Sequence, residues 1–82
     1  MDWEPEAKAK FDKMISLIPF FQRKMAERMG SKKAEENAIE RDSDIVEEHD
    51  IVRALESETP APFKPLMRDT ATQVGFNMDL AS

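Results

Sequence analysis

The sequence predicts an all-α fold, a small three-helix bundle over residues 1–58 with a Pro-rich extended C-terminal tail over residues 59–82. Two features of the pattern lead there. Large apolar side chains recur at three- and four-residue spacing in successive segments, which paints one stripe along each helix. Prolines then punctuate the chain, singly at Pro19 and three times within Pro60–Pro65, where continuous helix is disfavoured.

The first helix is expected over residues 5–16. Pro5 suits the first helical position, and Glu4 and Glu6 suit the positive end of the helix dipole. Ala7, Phe11, Met14 and Ile15 form its stripe, and Trp3 lies where it can fold back over them like a staple. Pro19 ends or kinks this helix and opens a second, running from about Pro19 to Ile39. Phe21, Met25, Met29, Ala34, Ala38 and Ile39 are expected to face inward there, and a break at Gly30–Ser31 is the alternative, since glycine costs about 1 kcal/mol relative to alanine. After a polar turn over Arg41–Asp44, Ile45 and Val46 form a short extended entry to a third helix over about Glu47–Ser57. From Glu58 the character changes: Thr59–Pro65 reads as polyproline-like extension, and Leu66–Ser82 as either a disordered tail or a strap that orders on a partner.

A chain of 82 residues holds one domain with a modest core. Cysteine is absent, which excludes disulfides, thiolate zinc sites and cysteine-held iron–sulfur clusters. A small domain without such staples leans on a partner. Acidic side chains outnumber basic ones, 17 to 12, for a net charge of −5, which opposes nucleic-acid and anionic-membrane binding. The basic residues nevertheless crowd the first third: Lys8, Lys10, Lys13, Arg23, Lys24, Arg28, Lys32 and Lys33 precede a strongly acidic stretch over residues 34–60. Charged helices facing each other or water account for this, and a basic docking face is the other reading. With no apolar run long enough to span a bilayer and an acidic N-terminus unlike a secretory signal, a cytoplasmic protein is expected.

Groups able to support catalysis are sparse. The single histidine, His49, stands within Glu47–Asp50, where consecutive side chains radiate around a helix instead of converging. A solvated helix face explains it better than a metal cluster or an axial ligand to a haem- or chlorophyll-type metal. Asp42, Asp44, Glu47 and Glu48 lack the loop glycine and closing Glu of a calcium-binding EF-hand. Only Gly30 and Gly75 occur, in different segments, so no glycine-rich phosphate loop forms. No catalytic, cofactor-binding or metal-ligating residue is therefore assigned, no cofactor is assigned, and the isolated chain is not expected to be an enzyme. Met14, Met25 and Met29 read as core filling, whereas Met67 and Met78, in the tail, suit an adaptable contact surface.

At Trp3, Glu6–Ala7, Ile18–Phe21 and Arg23 the chain resembles the C-terminal small domain of the B subunit of the light-independent, nitrogenase-like protochlorophyllide reductase, in its stand-alone form. Glu35, Glu36, Ala38, Asp44–Val46 and Ala54 fall at its later positions, so the resemblance covers residues 3–56. It departs by about four extra residues between Phe11 and Ile18 and a similar number between Arg23 and Glu35, each close to one helical turn. The full reductase binds a tetrapyrrole and an iron–sulfur cluster whose ligands lie outside this domain, so none carries over. The resemblance implies structural roles: Pro19 sets the turn, Phe20 and Phe21 fill the junction, and Arg23 caps or pairs. The segment after Pro60 has no counterpart in it.

The resulting expectation is a non-catalytic helical accessory module that docks on a larger oxidoreductase or electron-transfer complex. Its contact residues are Phe20, Phe21 and Arg23 in the corner and Phe63, Leu66, Met67, Phe76, Met78 and Leu80 in the tail. A tetrapyrrole- or hydrophobic-cofactor-binding protein, with His49 or the tail methionines near the ligand, is the alternative; a self-associating homo-oligomer is a third reading.

Overall fold

Pro5 lacks only an N–H that a helix start leaves unpaired, so α1 begins there and runs over Pro5–Ser16. It buries Ala7, Phe11 and Met14. The chain is described by a computed structural model over residues 1–81; Ser82, the end of the expected tail, lies outside the described residues. Just before α1, β1 (Asp2–Trp3) pairs in parallel with β2 (Ile45–Val46), Asp2 opposite Ile45 and Trp3 opposite Val46. The Glu4 amide extends this ladder by donating to the Val46 carbonyl at 2.8 Å. The Trp3 ring packs 5.4 Å from Phe11 between centroids, tilted by 44°, and its indole N–H donates to Glu35 Oε2 at 3.0 Å. Trp3 therefore covers the α1 stripe and also ties it to α2.

Helix α2 spans Arg23–Glu40 without a break at Gly30. Packing at this position outweighs the local helix cost of glycine. A Cβ at Gly30 would stand 3.1 Å from Cε1 and Cζ of the Phe11 ring, so the missing side chain lets α1 lie close. Gly30, Ala34, Asn37 and Ala38 make up the buried face of α2, and their small size admits α1 on one side and α3 on the other. The helix ends with Asp42 in the left-handed conformation at φ 62°. The Asp42 amide bonds to the Ile39 carbonyl at 2.9 Å and the Ser43 amide to the Ala38 carbonyl at 2.9 Å, the two bonds of a Schellman stop. Helix α3, Glu48–Glu58, follows β2 and buries Asp50, Ile51, Val52 and Ala54.

The chain after Thr59 departs from the expected extended tail, and the described residues form four α-helices instead of three. Pro60 opens a 3₁₀ turn over Ala61–Phe63, and α4 follows over Lys64–Gln73 with Pro65 in its first turn. The prolines start this helix, because each occupies a position whose N–H has no intrahelical partner. Helix α4 buries Met67 and Ala71, and Gly75, at φ 102°, stops it with the same pair of bonds: Gly75 amide to Thr72 carbonyl at 3.1 Å and Phe76 amide to Ala71 carbonyl at 3.0 Å. That turn sends Phe76 back into the core, where it is buried with Met67, Ala71 and Val74. A last 3₁₀ turn, Met78–Ala81, leaves Met78 partly buried against the same cluster. Among the described residues, no helix is long and apolar enough to cross a membrane.

Asp42 pays a steric cost for its positive φ and places a negative charge at the negative end of α2. Asp42→Gly relieves both, at the expense of a more flexible unfolded chain. The expected net gain is about 0.5–1 kcal/mol, seen as a rise in Tm of roughly 3–6 °C in a thermal melt followed by circular dichroism.

Candidate docking surface

The two ends of the bundle differ in kind. At one end β1 and β2 lie side by side, so α1 and α3 both start there, and α2 ends there. Arg41, Glu47 and Asp50, and beside them Lys10 and Glu48, bond to one another at this end. Asp50, fully buried, accepts from Arg41 Nε at 2.9 Å, from Arg41 Nη2 at 2.7 Å and from the Glu47 amide at 2.9 Å. Arg41 Nη2 also reaches Glu47 Oε2 at 2.8 Å and the Ile45 carbonyl at 3.1 Å. The amide of buried Asn37 donates to the Asp50 carbonyl at 3.0 Å. Burial by itself raises the Asp50 carboxyl, but the Arg41 guanidinium, the Glu47 amide and neighbouring His49 outweigh it and hold the group below the ordinary carboxylate range. Asp50 in turn raises Arg41 against its own desolvation, with Glu47 adding to the effect. Beside this clasp, Lys10 Nζ contacts Glu48 Oε1 at 2.6 Å while the Asn77 amide donates to Glu48 Oε2 at 3.0 Å, which fastens α1 and the C-terminal turn to the start of α3. Burial raises Glu48 too, and Lys10 with the Asn77 amide lowers it further than burial lifts it. His49 Nε2 stands 3.6 Å from Asp50 Oδ1, as a neighbour of the clasp. Among the described residues, no group of three or more His, Cys, Asp or Glu side chains converges as a metal site would require.

At the opposite end lie the end of α1, the start of α2, the end of α3 and the start of α4. Both connections there have the same build. Pro19 and Pro60 sit in extended backbone, φ −51° and −58°, and each carbonyl accepts from the amide three residues on, Gln22 and Phe63, at 2.9 Å. The first corner is braced by Arg23, whose Nε donates to the Ile18 carbonyl and Nη2 to the Ser16 carbonyl, both at 2.8 Å. Those carbonyls belong to the end of α1 and have no helical partner, and a cation is favoured at that end of a helix. The braced corner holds Phe20 and Phe21 out in water, 83% and 78% exposed. Leu17, Met25, Met29, Phe63 and Leu66 are exposed as well.

The sequence-predicted contact residues therefore separate. Phe20, Phe21, Arg23, Phe63 and Leu66 lie at the open end on the surface, and Leu80 is exposed in the last 3₁₀ turn. Met67 and Phe76 are core, and Met78 packs partly against it, because α4 and its Schellman stop form where an extended tail was expected. The methionines change places: Met14 is core as expected, but Met25 and Met29 face water while Met67 is inside. Ile39 is likewise exposed, not inward. The reason for Met25, Met29 and Ile39 is the face of α2 they occupy, opposite buried Gly30, Ala34 and Ala38. Helix α1 ends at Ser16 with Met14 as its last buried residue, and α2 has no buried residue ahead of Gly30. The sequence carries one signal of this: small Gly30, Ala34 and Ala38 and large Met25 and Met29 fall on different faces of α2, and the small face packs closest.

Taken together, three Phe rings exposed to this degree present on the order of 400 Å² of apolar surface. Each large side chain buried by a partner contributes ~1.5–3 kcal/mol before ordering costs, and a braced corner has little left to order.

Because Asp50 and Glu48 are held below their unfolded values, the stability they add is complete above about pH 5 and is lost as pH falls below about 4. Urea unfolding at pH 7, 5 and 3 is expected to show this loss. Asp50→Asn, which keeps the shape and removes the charge facing the partly exposed Arg41, is expected to cost about 2 kcal/mol at pH 7, the worth of a charged hydrogen bond, and to flatten the acid dependence.

No family model, no curated protein and no solved structure matches this chain.

Proposed function

We propose that this protein is a non-catalytic helical docking module that binds a larger protein through the open end of its bundle. The carrying observation is the pair of proline-led corners that hold Phe20, Phe21, Phe63 and Leu66 in water while the rest of the chain supports a packed core. Exposed aromatic groups on a braced turn match the rigid anchors that dominate protein interfaces. The similarity of Trp3, Glu6–Ala7, Ile18–Phe21 and Arg23 to the protochlorophyllide reductase domain supports an oxidoreductase or electron-transfer assembly as the partner.

Affinity recovery from the native cell, with partners identified by mass spectrometry, tests both parts. Phe20→Ser with Phe21→Ser is expected to cut recovery of a defined partner at least about ten-fold while shifting Tm by less than about 2 °C, since neither ring is part of the core. Equal recovery by the double variant would sink the docking reading. A partner with no redox cofactor and no contact to a redox subunit would remove the oxidoreductase assignment alone.

A further inference from the structure

We infer that the element seated on this protein is an amphipathic helix with an acidic flank, lying along the first half of α2. This inference rests on the docking reading and specifies its partner. Phe21, Met25 and Met29 recur every four residues. Met25 and Met29 lie on α2, about 40° apart at 100° per residue, and Phe21 precedes them in the 3₁₀ turn Phe20–Gln22 that leads into the helix. Rows of side chains at four-residue spacing are the ridges by which helices pack against one another. Met25 and Met29 lie on the outer side of α2, turned away from buried Gly30, Ala34 and Ala38, and both are exposed, as is Phe21 just ahead of the helix.

A second row fixes the chemistry of the occupant. Lys24, Arg28 and Lys32 recur at the same spacing, next to the apolar row on the helix surface. None of the three makes an ion pair among the described residues, whereas Lys8, Lys10, Lys33, Arg41 and Arg68 are each paired. A helix with an apolar seam and Asp or Glu along one edge satisfies both rows at once. Two other occupants fit less well. A second copy packed antiparallel about a two-fold axis would set the Lys24–Lys32 row against its own image. An anionic lipid surface is broad and would also meet Glu36 and Glu58, which share a shallow groove with Met29, Lys32 and Lys33. A helix whose acidic residues follow only the Lys24 and Arg28 flank keeps them off that side.

The full chain supplies its own reporters in Met25 and Met29 on the stripe and Met14 and Met67 in the core. With methyl-13C methionine, the protein is titrated with two synthetic amphipathic helices of the same apolar seam, one with Glu and one with Lys along the flank. The Glu-flanked peptide is expected to shift Met25 and Met29 and leave Met14 and Met67 in place, with affinity at least about ten-fold above that of the Lys-flanked peptide. Lys24→Glu with Arg28→Glu is expected to erase that preference. Equal affinity for the two peptides, or no shift with either, overturns the acidic-helix inference. The docking reading is decided separately by the Phe20 and Phe21 variant. Shifts of Met25 and Met29 on concentrating the protein alone would assign the stripe to a second copy, and shifts on adding phosphatidylglycerol vesicles would assign it to a lipid surface; either result overturns the inference.

Discussion

The carboxylate of Asp50 is the constraint on which the rest of the arrangement depends. It is fully buried, and its two oxygens are taken by the planar fork of Arg41 and by the Glu47 amide. Geometry makes this pair more useful than a charge contact alone. Arg41 closes α2, at the negative end of its dipole, and Asp50 lies in the first turn of α3, at the positive end of its dipole. Each charge therefore stands where its own helix favours it before the two meet. The bidentate fork adds direction, which a lysine point charge would not supply. With Arg41 also bonded to the Ile45 carbonyl, one side chain sets the exit of α2, the position of β2 and the start of α3. The β1–β2 ladder then fixes where α1 begins, because Trp3 must lie opposite Val46.

Pinning the helices at that end decides what happens at the other. Phe11 against Gly30 sets the height of α1 on α2. The exposure of Met25 and Met29 follows from register: with Gly30, Ala34 and Ala38 turned to the packed side of α2, the methionines lie on the opposite side. The same clasp places the start of α4 beside the first corner's end of the bundle, since α4 begins a few residues after α3 ends and finishes where Asn77 meets Glu48.

These dependencies explain which parts of the fold were legible in the sequence. Helices α1 and α3 could be read from residues alone, because Pro5, the Ala7–Phe11–Met14 spacing and the acidic first turn of α3 all act locally. The Ile45–Val46 extension was legible, but its partner was not: a dipeptide such as Asp2–Trp3 carries no pattern that names a strand forty residues away. Helix α4 was lost because proline breaks a helix interior and starts a helix equally well, and only position distinguishes the two. Gly75 followed by Phe76, five residues after Ala71, held the stop signal that would have revealed the helix. The candidate surface was half legible. Phe20, Phe21 and Arg23 stood out through Pro19, while Met25 and Met29 looked like core because one apolar stripe was assigned to a helix that carries two.

Charge follows the same division of the molecule. Asp2, Glu4, Glu40, Asp42, Asp44, Glu47, Glu48 and Asp50 gather at the clasped end around Lys10 and Arg41, whereas Lys13, Arg23, Lys24, Arg28 and Lys64 lie toward the open one, with Asp12, Glu27, Glu56 and Glu58 among them. The net charge of −5 is therefore a poor guide to what the open end attracts. The structure is 32 Å along its longest axis, and at physiological ionic strength charges more than about 8 Å apart are largely screened. A molecule approaching Phe20 and Phe21 senses the local basic rim long before the distant acidic cluster. An acidic chain can therefore present two faces of opposite sign, and the face that carries the unpaired aromatic groups is the basic one. Orientation of an encounter is set by that rim, and its duration by the apolar side chains the rim surrounds.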